Sequence, residues 1–249
     1  MLWWGKGDTL STPYVLNVVE NCLACRLRRG GFFCNLPLDI LQAFQNIMFT
    51  AAYPKGAVLF AEEQSPRGIF MLCQGRVKLS CCACNGKTLI FKVAEPGEVL
   101  GLSATINGVP HELTAETLEP CQLNFAKRDD FLRFLNEHRE ACFGVAQHLS
   151  DDYIEAHREF RALGLSRSAG ERLANLLLRW GSGKTKAAPA GVPITLSLTH
   201  EEISQMIGTS RETVTRLLAD MKRRRIVQAK GATMQIQDKE ALRIIANTQ

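Results

Sequence analysis

Between residues 53 and 126, short apolar segments alternate with turn residues. Val58-Leu59-Phe60, Ile69-Phe70-Met71-Leu72 and Leu89-Ile90-Phe91 are separated by Pro54-Lys55-Gly56, Gln74-Gly75, Asn85-Gly86, Glu95-Pro96-Gly97 and Asn107-Gly108-Val109-Pro110. This punctuation predicts short antiparallel strands closed into a barrel or sandwich. Asn85-Gly86 suits the two positive-φ positions of a type I′ hairpin and would pin the register around it. From about Asp129 the period changes from two to about three and a half: Cys142, Val145, Leu149, Tyr153, Ala156, Phe160 and Leu163 form one stripe, which predicts a long amphipathic helix over 129–164. A seam of about six turns is longer than packing on a barrel requires and calls for a second copy of the chain. Cys142, Val145, Leu149, Tyr153, Ala156 and Phe160 are therefore expected at a homodimer interface.

Leu173 to Trp180 repeats the helical pattern, and the Gly/Ala/Lys-rich stretch 181–191 reads as a flexible loop. Gly183-Lys184-Thr185 echoes a phosphate loop, but Leu178 stands where that motif needs its earlier glycine. Thr199 then opens a capping box with Glu202, followed by Ile203, Met206 and Ile207 on one face and a break at Gly208-Thr209. Ser210 can cap a second helix that buries Val214, Leu217, Leu218 and Met221 and turns Glu212, Thr215 and Arg216 outwards, with Arg211 in its first turn. Two short helices joined at a glycine, the second presenting polar groups near its start, suit the DNA major groove. Arg211 and Arg216 can donate bidentately to guanine, Glu212 can accept from a cytosine amino group, and Thr215 can meet a thymine methyl or a phosphate. Lys222, Arg223, Arg224 and Arg225 would face phosphates, and Ile226–Ala229 with Thr233–Ile236 would form a wing.

Charge supports this placement. The 249 residues carry a net charge of +5, but residues 165–249 hold 14 Lys and Arg against 7 Asp and Glu, while residues 1–164 hold 16 against 18. The basic end is thus expected to meet a polyanion. With 46% hydrophobic and 22% charged side chains the chain can bury one or two cores. It lacks an apolar run long enough for a membrane span and an export signal at its start, so a cytoplasmic location is expected. No nucleophile elbow, complete phosphate loop or dinucleotide fingerprint appears, and Glu62-Glu63 read as solvated rather than catalytic. An enzyme is not expected.

Nine cysteines, an odd count, point to reduced thiols with metal or redox chemistry in reach. Cys22-Leu23-Ala24-Cys25 is a C-x-x-C, and Cys34 follows after eight residues that include Gly30-Gly31, so two or three thiolates can reach one metal or cluster. Cys81, Cys82 and Cys84 read as strand packing, and Cys73 and Cys142 as core packing. His111, His138, His148, His157 and His200 contain no H-E-x-x-H pair; a single haem-ligating histidine would leave no motif.

Barrel, long helix and the stretch Leu198-Thr199-His200-Glu201-Glu202-Ile203-Ser204-Gln205-Met206-Ile207-Gly208-Thr209-Ser210-Arg211-Glu212-Thr213-Val214-Thr215-Arg216-Leu217-Leu218 together resemble the Crp/Fnr family of bacterial transcription regulators from about Cys22 to the end. The resemblance implies an α+β chain with an N-terminal cysteine segment (1–35), a cyclic-nucleotide-binding-like β-roll or double-stranded jelly roll (36–128), a dimerisation helix (129–164) and a winged helix-turn-helix (165–249). It implies a homodimer on palindromic double-stranded DNA that contacts RNA polymerase, with Thr199, Ser210, Arg211, Glu212, Thr215, Arg216 and Lys222 at the DNA. Arg211, Glu212 and Arg216 match the base-reading positions of cyclic-AMP receptor proteins, which favours a TGTGA-like half-site over a TTGAT-like one.

The same resemblance places Cys121, in Glu119-Pro120-Cys121-Gln122-Leu123, where Fnr proteins supply the distant fourth ligand of an oxygen-sensitive [4Fe-4S] cluster, after Cys22, Cys25 and Cys34. The gap before Cys34 is longer than is usual for Fnr proteins, and a similar barrel cysteine in cyclic-AMP receptors binds no cluster. Four-thiolate zinc, thiol-redox chemistry and structural cysteines stay open, as do a regulator sensing another small molecule or a haem-bound gas and an iron–sulfur redox protein with no DNA role. Cyclic AMP is not expected: Gly101-Leu102-Ser103 and Pro110-His111-Glu112-Leu113 lack the family's phosphate-pairing arginine, and Glu112 would repel the phosphate.

Overall fold

The computed structural model describes residues 18, 21–25, 33–166, 168–182, 194–195, 198–230 and 233–247. The chain divides into two compact units, one of residues 1–81 and 91–153 and the other of residues 82–90 and 154–249. The loop expected after Gly181 falls, from residue 183 to its end, outside the described residues, as does the side chain of Leu163.

The first unit begins with single 3-10 turns at Cys22–Ala24 and Phe33–Asn35, followed by α1 (Leu38–Asn46). Eight strands follow: β1 (Met48–Tyr53), β2 (Val58–Phe60), β3 (Gly68–Gln74), β4 (Val77–Cys82), β5 (Thr88–Ala94), β6 (Val99–Leu100), β7 (Thr114–Thr117) and β8 (Cys121–Lys127). A short helix α2 (Leu102–Asn107) lies between β6 and β7. The strands make two four-stranded sheets, ordered β1-β8-β3-β6 and β2-β7-β4-β5, and this is the expected roll. Its interior is filled from both sheets by Phe60, Leu72, Val77, Leu100, Ala115, Cys121 and Leu123.

Successive residues of a strand point to opposite faces. While Leu72 and Leu123 enter the interior, Ile69, Met71 and Ala126 turn to the other face of their sheet, where they pack with Phe33, Leu41 and Phe44 from the N-terminal part and with Phe131 and Phe134. The aromatic rings carry this second core: Phe33 stacks on Phe44 at 4.5 Å, and Phe44 meets Phe134 at 5.0 Å. Such pairs add about 0.5–1.5 kcal/mol each beyond the area they bury.

Two expectations about local geometry change. At the β4–β5 hairpin only Gly86 has positive φ, at 79°, and Asn85 does not. Gly86 N–H donates to the Ala83 carbonyl (2.8 Å) and Ala83 N–H to the Lys87 carbonyl (2.9 Å), so the loop is one residue longer than a type I′ turn. This is the turn-plus-glycine-bulge form. The helix expected over 129–164 is two helices, α3 (Arg128–Glu137) and α4 (Arg139–Leu165). His138 between them has extended backbone, φ −126° and ψ 98°, and its ring lies 4.7 Å from that of Phe134. Phe131 and Phe134 bury one face of α3 in the second core, so α3 belongs to the barrel, and α4 starts afresh with Cys142 N–H bonding the His138 carbonyl. Cys142, expected in the core or in the seam, is exposed.

The second unit contains the end of α4, α5 (Ala169–Ser182), β9 (Ile194–Thr195), α6 (His200–Ile207), α7 (Arg211–Arg223), β10 (Val227–Lys230), β11 (Thr233–Ile236) and α8 (Lys239–Ala246). Its three strands form one antiparallel sheet, ordered β10-β11-β9, which is the expected wing with one added strand. Leu173, Leu176 and Leu177 of α5 pack with Ile203, Val214, Leu218, Met221, Met234 and Leu242 in a core of its own. Among the described residues no helix is long and apolar enough to cross a membrane.

His111, next to the roll, stacks on Phe60 at 3.9 Å and 13°, and burial holds its imidazole below its ordinary value of 6.5. The folded chain therefore refuses a proton that the unfolded chain accepts. Stability is complete above the unfolded value and falls as pH drops through it. Thermal unfolding followed from pH 8 to 5.5 should show the midpoint falling on the acid side. His111→Phe, which keeps the stack and cannot titrate, should flatten that fall, and an unchanged slope would remove His111 as its source.

Candidate nucleic-acid interface and cysteine face

The Thr199 box forms as its sequence demands. The Thr199 hydroxyl accepts from Glu202 N–H (3.2 Å), and Glu202 Oε2 accepts from Thr199 N–H (2.6 Å). Gly208 ends α6 in the left-handed region at φ 62°. Ser210 caps α7, its Oγ accepting from Thr213 N–H at 3.2 Å. Val214, Leu218 and Met221 are buried, which fixes the rotation of α7 and leaves Arg211, Glu212, Thr215, Arg216 and Lys222 exposed together.

The chemistry of that face is specific. The Glu212 carboxyl is held below its usual range, first by its own backbone N–H, then by the Ser210 hydroxyl, with Arg211 adding charge. It is thus an ionised acceptor, the form that a cytosine amino group requires. Thr215 Oγ1 lies 2.9 Å from the Arg211 carbonyl and 2.9 Å from His200 Nδ1. Since a carbonyl can only accept, the one hydroxyl hydrogen goes to Arg211, and His200 must donate from Nδ1. The Thr215 hydroxyl thus donates to one partner and accepts from the other within the protein.

Two residues that the sequence pattern did not single out hold this arrangement. His200, at the start of α6, braces α7 through Thr215. Arg172 of α5 donates from Nε to the Ile207 carbonyl at 2.7 Å, satisfying the end of α6. Neither pairing leaves a local signature, because the partners lie 15 and 35 positions apart.

The basic run after Met221 is less uniform than expected. Asp220 pairs with Arg223, and with Arg224 at 3.7 Å, while Lys222 and Arg225 are exposed. Arg225 sits at φ 57°. Its N–H bonds the Lys222 carbonyl (3.0 Å), and Ile226 N–H bonds the Met221 carbonyl (2.9 Å), a Schellman stop with arginine in the place usually held by glycine. Exposed pairs such as those on Asp220 contribute little, so phosphates can compete for both arginines.

The expected seam divides along α4. Val145 is buried and Leu149 packs beside it against the barrel's second core. Cys142, Tyr153 and Phe160 are exposed and Ala156 is half-buried. Phe143, Ile154 and Leu165 join the exposed apolar set, with Phe160 79% exposed. Val145 and Leu149 thus serve their own barrel, while Phe143, Ile154, Phe160 and Leu165 of α4 are exposed.

The cysteines separate in the same manner. Cys22 is tied down by its backbone N–H to Gln45 Oε1 of α1 (3.0 Å), and its Sγ lies 3.8 Å from Asn124 Nδ2. Cys22, Cys34 and Cys73 all pack at the second core. Burial pushes the Cys34 thiol up to about 11, with charge on Cys25 and Cys22 adding to the effect. Burial also raises Cys73, and Cys22, Cys34 and Cys25 raise it further, while the Asn124 backbone opposes them. Cys121 is elsewhere: fully buried in the roll interior, with Sγ near the carbonyls of Glu119 (3.1 Å) and Arg76 (3.4 Å). Its thiol is pushed up to about 11, first by burial. The structure therefore brings Cys22, Cys25 and Cys34 to one face and does not bring Cys121 to them. Among the described residues no three His, Cys, Asp or Glu side chains converge closely enough to hold a metal ion. Cys81 is half-buried, Cys82 and Cys84 are exposed, and Cys82 Sγ lies 3.3 Å from Thr88 Oγ1.

Comparison with known proteins matches residues 50–138 to the cyclic nucleotide-binding domain and residues 171–245 to the Crp-like helix-turn-helix domain. The chain is 24% identical over 216 residues to the CRP-like cAMP-activated global transcriptional regulator of Mycobacterium tuberculosis, covering 87% of this chain and 96% of that protein. It is 27% identical over 210 residues to the global nitrogen regulator of Synechococcus elongatus, covering 84% and 89%. Among solved structures, FixK2 from Bradyrhizobium japonicum superposes with a TM-score of 0.71 at 21% identity, covering 80% of this chain and 97% of that one. With a roll and a capped helix-turn-helix in the same order along the chain, this protein belongs to the Crp/Fnr family of transcription regulators.

Proposed function

We propose that this regulator binds palindromic double-stranded DNA as a homodimer, reads bases through Arg211, Glu212, Thr215 and Arg216, contacts RNA polymerase from the cytoplasm, and reports oxygen or redox state through an N-terminal [4Fe-4S] cluster. The observation that carries the DNA reading is the joint exposure of those four side chains above a buried Val214, Leu218 and Met221. Arg211 and Arg216 supply forked donors for guanine and ionised Glu212 an acceptor for cytosine. The Thr215 methyl packs on thymine, and Lys222 draws the helix to phosphate. A second copy is supported by the exposed Phe143, Ile154, Phe160 and Leu165 of α4, since these large apolar side chains are otherwise left in water.

Cyclic-nucleotide control does not suit this roll. The loop that would cradle the phosphate offers His111, which is buried, stacked on Phe60 and held neutral at physiological pH. A neutral ring cannot pair a phosphate as a guanidinium does.

Cluster binding is supported by donor chemistry. Cys22 and Cys25 border one 3-10 turn and Cys34 lies on the next, which puts three thiols on one side of the sheet, Cys22 and Cys25 half-buried and Cys34 buried, although they do not converge closely enough to hold a metal ion as they stand. A bound cluster would supply an oxygen-labile tie among them. This chain's own part is to hold that segment against the sheet through Phe33, Gln45 and Asn124, biasing a two-state equilibrium of the regulator.

Two measurements test these readings. Arg216→Ala should relax base preference at one position of each half-site and weaken specific binding by about 1–3 kcal/mol; unchanged selectivity would take Arg216 out of the readout. Protein purified without oxygen should contain iron and sulfide and lose its specific DNA binding on exposure to air. Iron-free protein that binds equally well before and after air would remove the cluster.

A further inference from the structure

We propose that Cys82 and Cys84, at the tip of the β4–β5 hairpin, are a thiol-oxidation site: a hydroperoxide closes them into a reversible disulfide, while Cys81 stays out of the bond. Neither a cluster nor a second copy of the chain takes part.

Strand alternation separates the three sulfurs. Val77 and Leu79 of β4 pack in the roll interior, and Cys81 continues their parity and is half-buried. Cys82 has the opposite parity and is exposed, and Cys84, two positions further along, is exposed as well. Strand packing, the expected role of all three, thus holds at most for Cys81. Susceptibility of a thiol to oxidants follows its exposure, and here two exposed thiols stand one residue apart.

The turn keeps them near each other. Ala83 N–H donates to the Lys87 carbonyl (2.9 Å), Gly86 N–H to the Ala83 carbonyl (2.8 Å), and Lys87 N–H to Asn85 Oδ1 (3.0 Å), which fixes the chain on both sides of Cys84. Two steps of chain span at most about 7 Å, the outer limit of what a disulfide bridges, so closure needs only a small adjustment of the tip. There is room for it: a side-chain carbon at Gly86 would meet no atom within 4 Å other than its chain neighbours. Cys81 with Cys82 is the poorer pair, because adjacent strand residues point to opposite faces. Cys82 Sγ also lies 3.3 Å from Thr88 Oγ1 across the hairpin, a hydroxyl that can donate to the sulfur once the thiol has lost its proton.

The chemistry takes two steps. The sulfur of one cysteine attacks an oxygen of the hydroperoxide, the O–O bond breaks, and a sulfenic acid forms as water or an alcohol leaves. The second thiol then attacks that sulfur, the S–S bond forms, the S–O bond breaks and water leaves with the remaining thiol proton. Two electrons pass from the sulfurs to the peroxide. So small a ring is strained and exposed, the class of disulfide that thiols reduce readily, which makes the closure reversible.

The test uses the full-length protein, reduced and then freed of reductant. It is exposed to hydrogen peroxide, quenched with an alkylating agent in denaturant and digested with trypsin. Cleavage after Lys78 and Lys87 isolates Cys81, Cys82 and Cys84 on one peptide, 79–87. All three thiols should alkylate before oxidation. Afterwards the peptide should lose two of its three reactive thiols, carry its single alkyl group on Cys81 in fragment spectra, and recover all three on treatment with dithiothreitol. Cys81→Ala should close as wild type does, and Cys82→Ala and Cys84→Ala should not.

Three thiols still alkylated after peroxide, a bond that includes Cys81, sulfinic or sulfonic acid in place of the bond, or a bridge to another peptide would each overturn the assignment. The fragment spectra of wild type decide it even where a variant folds poorly.

Discussion

An element that buries one face must present the other, and in this protein that constraint acts twice. In α7, Val214, Leu218 and Met221 are committed to a core with Ile203 and Leu173. With about 100° between successive residues, this leaves Arg211, Glu212, Thr215 and Arg216 on the open side. In the sheet of β1, β8, β3 and β6, the period of two sends Leu72, Cys121 and Leu123 into the roll and Met71, Cys73 and Asn124 to the N-terminal turns. No separate device is needed to select which side chains of α7 are exposed or which cysteines share a face of the sheet. Burying a hydrophobe such as Leu218 stabilises by roughly 1.5–3 kcal/mol, and that energy opposes any rotation that would withdraw the reading face.

Polar contacts then refine what burial sets. Thr199, Ser210 and Gly208 close three helix ends, each satisfying backbone groups that would otherwise need water. The Thr215 hydroxyl is spent on the Arg211 carbonyl and His200, which stiffens the first two turns of α7. Arg172 does the same for the end of α6 through the Ile207 carbonyl. The exposed face of α7 is therefore pre-organised by contacts from α5 and α6, and less side-chain and backbone entropy is left to lose on association.

Local order was legible in the sequence wherever a residue's role depends on near neighbours. The Thr199–Glu202 box, the Ser210 cap, the break at Gly208 and the wing strands follow from spacing and side-chain chemistry, and all four form. Long-range partnership was not legible. The stripe from Cys142 to Phe160 has one period, yet Val145 and Leu149 pack at the barrel's second core while Cys142 and Phe160 are exposed. Periodicity gives the face of a helix but not what covers it. The break at His138 was hidden for the same reason: helix formers run through it, and only the docking of Phe131 and Phe134 separates α3 from α4. Arg225 escaped notice as a helix stop because a glycine was the expected signal there, and the Met221–Ile226 contact holds an arginine in the left-handed region instead.

The cysteines show how the two kinds of information combine. Spacing alone brings Cys22 and Cys25 onto one turn, since a C-x-x-C closes locally and Cys25 N–H bonds the Cys22 carbonyl at 3.3 Å. Cys34 needs Phe33 in the aromatic core before its position is defined. Resemblance could point to Cys121 along the chain, but the face of a strand is a property of register. Here β8 pairs with β1 without a shift, and Cys121 keeps the inward parity of Leu123. A thiol on the wrong face is separated from its would-be partners by a packed sheet, and repacking the interior around Leu72 and Leu123 to release it would cost several kcal/mol. On that scale the sheet, rather than the spacing of cysteines along the chain, keeps Cys121 apart from Cys22 and Cys34.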